Sequence, residues 1–276
     1  MTQHSKLKTQ NSHKTLIVFA REPIPGRTKT RLCPPLDGAT AAALYACFLR
    51  DTIDLARRIA GARALIAYTP ESDAGFFARL ALDLAARPQR GMGLGERMDN
   101  AFADTFAPST DHRPPTAEDS ELKIEDSNVG AGETLSSILN PRSSNLSSVV
   151  IIGTDSPNLP TDYLHAAFAR LDDGADLVLG PADDGGYYLI GLRARQPRLL
   201  REAPMSTPTL LADTLAIAAE LGLRAELLPM WYDVDTAAEL KRLAEDLRDT
   251  PADIAPHTRA FIANCKLQIA DSSATL

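Results

Sequence analysis

The sequence predicts an α/β fold, a mostly parallel central sheet with helices on both faces, on three observations. Short apolar runs alternate with longer segments of helical periodicity. Two of the runs, Leu16 to Ala20 and Val149 to Ile152, are apolar throughout, as strands covered on both faces require. Acidic, basic and glycine-rich segments follow the runs, where such a sheet exposes the carboxyl ends of its strands to ligands.

In chain order, Leu16 to Ala20 reads as the first strand. Pro23, Pro25 and Gly26 then forbid a regular helix before Arg27. Over 40–60 the stripe Leu44, Phe48, Leu55 predicts a helix, with Thr40 as its N-cap. Ala64 to Tyr68 is a strand, Ser72 to Leu82 a helix and Asp83 to Arg87 a third strand. Glycines at 91, 93 and 95 break this pattern ahead of a helix from Glu96 to Phe106, whose Met98, Phe102 and Phe106 share a face. After the strand Val149 to Ile152 come a helix from Thr161 to Leu171 and strands Asp176 to Gly180 and Tyr187 to Leu192. A helix from Pro208 to Leu221 is expected to start on Thr207 as N-cap, with proline at its first position. Ala225 to Leu228 is the last strand, and Thr236 with Glu239 spells a capping box for a helix to Leu247.

This gives one domain over 15–249, preceded by a disordered stretch over 1–14 and followed by a tail over 250–276. The composition turns to Ser, Pro, Asp, Glu, Asn and Gly from Pro108 to Ser147, with too little apolar surface to offset the entropy of ordering, about 1–2 kcal/mol per residue. Residues 107–148 therefore read as an inserted flexible loop, or alternatively as a lid.

A formal charge of −7 disfavours coating nucleic acid or an anionic membrane, and no apolar run has the length of a membrane span. Three cysteines without a CxxC pair suggest neither a disulfide framework nor a zinc site, which fits a reducing cytoplasm. No Gly-x-Ser-x-Gly elbow, Walker A loop or complete Gly-x-Gly-x-x-Gly occurs, which removes support for hydrolase, P-loop and dinucleotide readings. The sequence leaves homo-oligomerisation open.

The basic cluster is thus a local site. Arg21, Arg27, Lys29 and Arg31, around the turn at Gly26, can surround a phosphate or diphosphate, guanidinium forks gripping oxygens and the ammonium acting as a point charge. A solvated basic loop is the alternative. Asp155, just past a buried strand, is a hard-metal ligand for Mg²⁺ if a diphosphate completes the shell, or else a turn cap. Asp233 and Asp235 stand at a strand-to-helix junction; Asp235 is the preferred second ligand, and the two share a side only if the chain there is extended. In Asp183-Asp184-Gly185-Gly186-Tyr187, the glycines make a hairpin turn or admit a ligand against the backbone, and Asp184 is a candidate general base for a hydroxyl.

Taken together, the motifs at Ala20–Leu32, Gly93–Met98, Gly153–Pro160, Gly180–Gly191 and Asp233–Thr236 resemble those of a family of bacterial glycosyltransferase-like proteins with the GT-A fold, often named for arsenosugar biosynthesis. The likeness spans about residues 15–245 apart from the insertion. Arg21 stands where that family has Lys, Thr28 where it has Val, and Met205 where it tends to have Trp. The resemblance implies a Rossmann-like nucleotide-diphospho-sugar transferase using Mg²⁺ or Mn²⁺, held by Asp155 and Asp235. It also implies that Gly95 and Glu96 approach the nucleotide, and that Asp184 and the Gly185-Gly186 turn face a small-molecule acceptor, with Tyr187 beside them a further substrate-binding candidate. Two other functions remain beside glycosyl transfer: a guanylyltransferase-like nucleotidyltransferase releasing pyrophosphate from a nucleoside triphosphate, and a non-catalytic nucleotide-binding protein.

Overall fold

The computed structural model describes residues 13–107 and 147–264. Seven strands, β1 (His13–Ala20), β2 (Ala62–Tyr68), β3 (Ala85–Pro88), β4 (Ser147–Ile152), β5 (Leu177–Pro181), β6 (Tyr187–Leu192) and β7 (Ala225–Leu227), form one sheet in the order β3-β2-β1-β4-β6-β5-β7. All run parallel except β6, which is antiparallel to both neighbours, β4 and β5. The reversal has a functional result: the hairpin 182–186 and Tyr187 fall at the same end of the sheet as the carboxyl ends of β1, β2 and β4.

The helices are α1 (Gly38–Arg57), α2 (Ala74–Leu80), α3 (Leu94–Phe106), α4 (Thr161–Asp172), α5 (Pro197–Arg201), α6 (Leu210–Glu220), α7 (Ala237–Asp249) and α8 (Pro256–Asn264). Strand alternation divides the core. Leu16, Val18, Val150, Ile152 and Val178 pack with α1 and α4, whereas Ile17, Val149, Ile151, Leu177 and Ile190 pack with α3, α5 and α6. β4 is buried on both faces, as its uninterrupted apolar run requires. Among the described residues no helix is long and apolar enough to cross a membrane.

Several boundaries differ from expectation. His13 and Lys14 already belong to β1, and Ser147 and Ser148 to β4, because parallel pairing continues past the apolar run. The remainder of the expected insertion, 108–146, lies outside the described residues. α1 is capped by Asp37, whose Oδ1 accepts from Thr40 N at 2.7 Å, so Thr40 is the capped residue and not the cap. α6 starts at Leu210 with Thr209 as N-cap, two residues later than expected, since Thr207 Oγ1 donates instead to Pro204 O. The segment beyond 249 holds α8, packed beside Leu247 and α1, so the folded unit continues to Asn264. α7 carries the anticipated capping box between Thr236 and Glu239.

Candidate active site

Two strand ends are tied together before any functional side chain is placed. The buried Tyr45 hydroxyl, from α1, accepts from Arg21 N (3.2 Å) just after β1 and lies 2.6 Å from Thr154 Oγ1 just after β4. The loop after β4 is then stitched to the approach to α7. Val234 N donates to Asp155 O (2.8 Å), and Ser156 Oγ lies 2.9 Å from Tyr232 O and 2.6 Å from Asp233 Oδ1. Glu239, through the capping box, also accepts from Asp235 N at 2.8 Å. The acids of two motifs nearly eighty residues apart are thereby fixed side by side.

Lys29 is at their centre. Its side chain is 4% exposed, and its Nζ lies 2.5 Å from Asp155 Oδ1, 2.8 Å from Asp235 Oδ1 and 2.7 Å from Val234 O. An ammonium has three hydrogens, and three acceptors take them. Burial opposes the charge on Lys29, but Asp155 and Asp235 outweigh it and hold its pKa above the usual value. Asp235 is held low for the reciprocal reason, Lys29 overcoming its own burial. Lys29 also adopts φ 52°, a left-handed conformation that costs a non-glycine residue about 1 kcal/mol or more, offset here by the ion pairs. Asp233 takes the other path. Burial, then the charge on Asp155, pushes it up to about 7, and it bonds Ser156 instead of Lys29.

Asp155, Asp233 and Asp235 open onto a cavity of about 740 Å³ at the carboxyl ends of the strands. That volume suits a nucleotide-sized ligand. Of the expected site residues, Arg21, Arg31, Asp155, Asp184, Gly186, Tyr187 and Asp235 are on its wall. Arg31 is exposed and reaches Asp235 Oδ2 at 3.3 Å. Lys29 lies beneath the carboxylates, so it is their counter-ion and not an open anion contact. Gly26 and Arg27 are exposed on the turn (Gly26 φ 73°) but do not line the cavity.

Three other expected residues have structural employment. A Cβ on Gly95 would fall 1.9 Å from Leu200 O, so this glycine lets α3 meet the end of α5. Glu96 Oε2 accepts from Met92 N (2.9 Å), closing the glycine-rich loop. Gly185 has φ 89°, and a Cβ there would fall 2.0 Å from Pro208 O; its own carbonyl accepts from Leu211 N at 3.0 Å. Asp184 Oδ1 accepts from Gly186 N (2.9 Å), the bond of the hairpin turn, while the residue remains exposed on the cavity wall. Residues that sequence reasoning passed over are Tyr45, Thr154, Ser156, Gln89 and Arg97, all lining the cavity, while Asp233, weighed there as the lesser candidate, lines it too.

Among the described residues no group of three or more His, Cys, Asp or Glu is arranged to hold a metal. Asp155 and Asp235 nevertheless fit a hard cation. They converge on a single nitrogen, and their side chains keep 41% and 35% of their surface open to the cavity. Two carboxylates completed by substrate oxygens and water is the coordination habit of Mg²⁺.

Comparison with solved structures supports the fold. A candidate nucleotide-diphospho-sugar transferase from Desulfovibrio desulfuricans G20 superposes with a TM-score of 0.72 at 26% identity, covering 94% of this chain and 97% of that one. The 4-diphosphocytidyl-2C-methyl-D-erythritol synthase of Anaerococcus prevotii DSM 20548 matches at 9% identity and a TM-score of 0.48, covering 86% of this chain and 99% of that one, too distant to bear on function. No curated protein matches the sequence. The chain therefore has the nucleotide-diphospho-sugar transferase fold expected from its motifs. A family model described as "Uncharacterized protein conserved in bacteria" (DUF2064) matches residues 52–207, from within α1 to the Thr207 wall of the cavity, and with more than half its length matched the chain belongs to that family.

Proposed function

We propose that the protein is a glycosyltransferase that moves a sugar from a nucleotide-diphosphate donor to a small-molecule acceptor with the help of Mg²⁺ or Mn²⁺. Formation of arsenosugars, implied by the resemblance of the motifs, would be one such transfer. The observation that carries the reading is the pairing of Asp155 and Asp235, held from beneath by Lys29, on one cavity whose rim also presents Arg21 and Arg31.

As the glycosidic C–O bond breaks, negative charge accumulates on the departing diphosphate. Arg21 and Arg31 are the exposed cations positioned to stabilise it by charge-assisted hydrogen bonds. Asp155 and Asp235 would hold the cation, which when bound neutralises diphosphate charge. Lys29 holds both carboxylates in place through its ion pairs. Asp184 would take the proton of the acceptor hydroxyl.

The test is a thermal-shift and turnover screen of nucleoside diphosphates, nucleotide sugars and nucleoside triphosphates, with and without Mg²⁺ or Mn²⁺, on the wild type and Asp155→Asn. The expected result is metal-dependent stabilisation by a nucleoside diphosphate or its sugar, lost in the variant, with diphosphate as product. Undiminished stabilisation of the variant would remove Asp155 from the site. Release of pyrophosphate from a triphosphate would instead establish nucleotidyl transfer.

A further inference from the structure

Each carboxylate oxygen of Asp235 has its own cation. Lys29 Nζ lies 2.8 Å from Oδ1, and Arg31 Nη1 lies 3.3 Å from Oδ2. The two partners differ in every other respect. Lys29 is buried and its three hydrogens are taken up by Asp155, Asp235 and the Val234 carbonyl, so it cannot leave without uncovering a buried charge. Arg31 follows two residues later, in the short 3₁₀ turn Thr30–Leu32. Its side chain is 69% exposed, and its bond to Asp235 is long. Moving that guanidinium off Asp235 costs no more than the strength of an exposed ion pair.

A divalent cation on Asp235 would find Oδ1 turned to Lys29 and Oδ2 already shared with Arg31. Two cations at one oxygen repel, so the metal gains its place only as the guanidinium withdraws. Asp155 makes no such demand, since Lys29 is on its Oδ1 and no second cation pairs with it among the described residues. Arg31 lines the same cavity as both acids. A diphosphate bound there offers the displaced guanidinium anionic oxygens in place of Asp235.

We infer that Arg31 is an exchangeable partner that couples the two ligands of the site: paired with Asp235 it holds the metal position closed, and a diphosphate that draws it away frees Oδ2 for the divalent cation. The inference rests on the metal-dependent transferase reading above. Such a site takes up its metal together with the diphosphate and not before it. Coupling of this kind is reciprocal, so through Arg31 the metal favours the diphosphate by the same factor as the diphosphate favours the metal. Its size is bounded by the strength of an exposed ion pair, up to about fivefold in affinity. Arg21 also lines the cavity but pairs with neither carboxylate among the described residues, which makes it the control for charge alone. Burial opposes ionisation of Asp235, and Lys29, Arg31 and Arg21 overcome it in that order.

The test measures binding, not turnover, on the full chain of the wild type, Arg31→Leu and Arg21→Leu. Mn²⁺ alone is titrated by electron paramagnetic resonance, and inorganic pyrophosphate alone, in the presence of a chelator, by calorimetry. Arg31→Leu is expected to bind Mn²⁺ about two- to fivefold more tightly than the wild type and pyrophosphate more weakly, opposite changes that a loss of structure does not produce. Arg21→Leu is expected to weaken pyrophosphate with a smaller gain in Mn²⁺ affinity. Unchanged or weaker Mn²⁺ binding in Arg31→Leu overturns the exchange and leaves the transferase reading standing. An equal gain in Arg21→Leu does the same, because net charge alone then accounts for it. Binding of neither Mn²⁺ nor pyrophosphate by any of the three proteins, alone or together, would refute the transferase reading as well.

Discussion

Lys29 determines the electrostatics of the site, since without it Asp155 and Asp235 would face each other with no intervening charge. Lys29→Met is expected to destabilise the protein by about 1–3 kcal/mol, less than a fully buried pair would lose because both carboxylates keep solvent contact. It should also abolish nucleotide-dependent thermal shifts; a variant with wild-type stability and wild-type shifts would show that the ion pairs are incidental. Arg21, Arg31, Asp155 and Asp235 of the candidate site were legible because they follow recognisable strands, and strand ends in this architecture converge. Their supports were not. Tyr45 reads as one more apolar helix position, and the Ser156 to Asp233 contact spans 77 residues that local pattern cannot bridge. Gly95 and Gly185 were expected to admit a ligand, yet they admit Leu200 and Pro208, and no feature of a sequence separates a glycine cleared for substrate from one cleared for its own chain.

Every strand and each long helix of the domain was foreseeable from periodicity, with ends displaced by a few residues where pairing or capping outlasts the apolar pattern. The helices that escaped, α5 and α8, span five and nine residues and owe their stability to tertiary partners. For α8 the partner is identifiable. Asp51, buried within α1, accepts from His257 N (2.9 Å) and Thr258 N (2.8 Å), so a side chain from another helix supplies the N-terminal cap. Asp51→Ala is expected to cost about 1–2 kcal/mol, the usual loss for an N-cap. Amide hydrogen exchange should localise the loosening to α8; protection unchanged over 256–264 would refute the cap.

On the scale of the molecule, acid stability should be governed in part by Asp99, fully buried on α3 and bonded to Arg195 (2.8 Å) and Arg201 (2.5 Å) across to α5. Burial raises its pKa, but the two guanidinium groups prevail and hold the carboxyl below its ordinary range. A depressed folded value means that the pairing contributes stability above the unfolded pKa near 3.8 and loses it as pH falls through the folded one. In urea titrations, Asp99→Asn should therefore be weaker than wild type by about 1–3 kcal/mol at pH 7, and the gap should begin to narrow only below about pH 4, as pH falls toward the depressed folded value. Parallel stability curves would count against this role.

The direction of α3 has one more implication. It starts at the cavity and ends at Ala107 on the opposite side of the sheet, where Ser147 also begins β4. The polypeptide joining these two points is rooted at the pole remote from the chemistry. A reporter attached at the exposed Ala107 would therefore sit away from the reaction face.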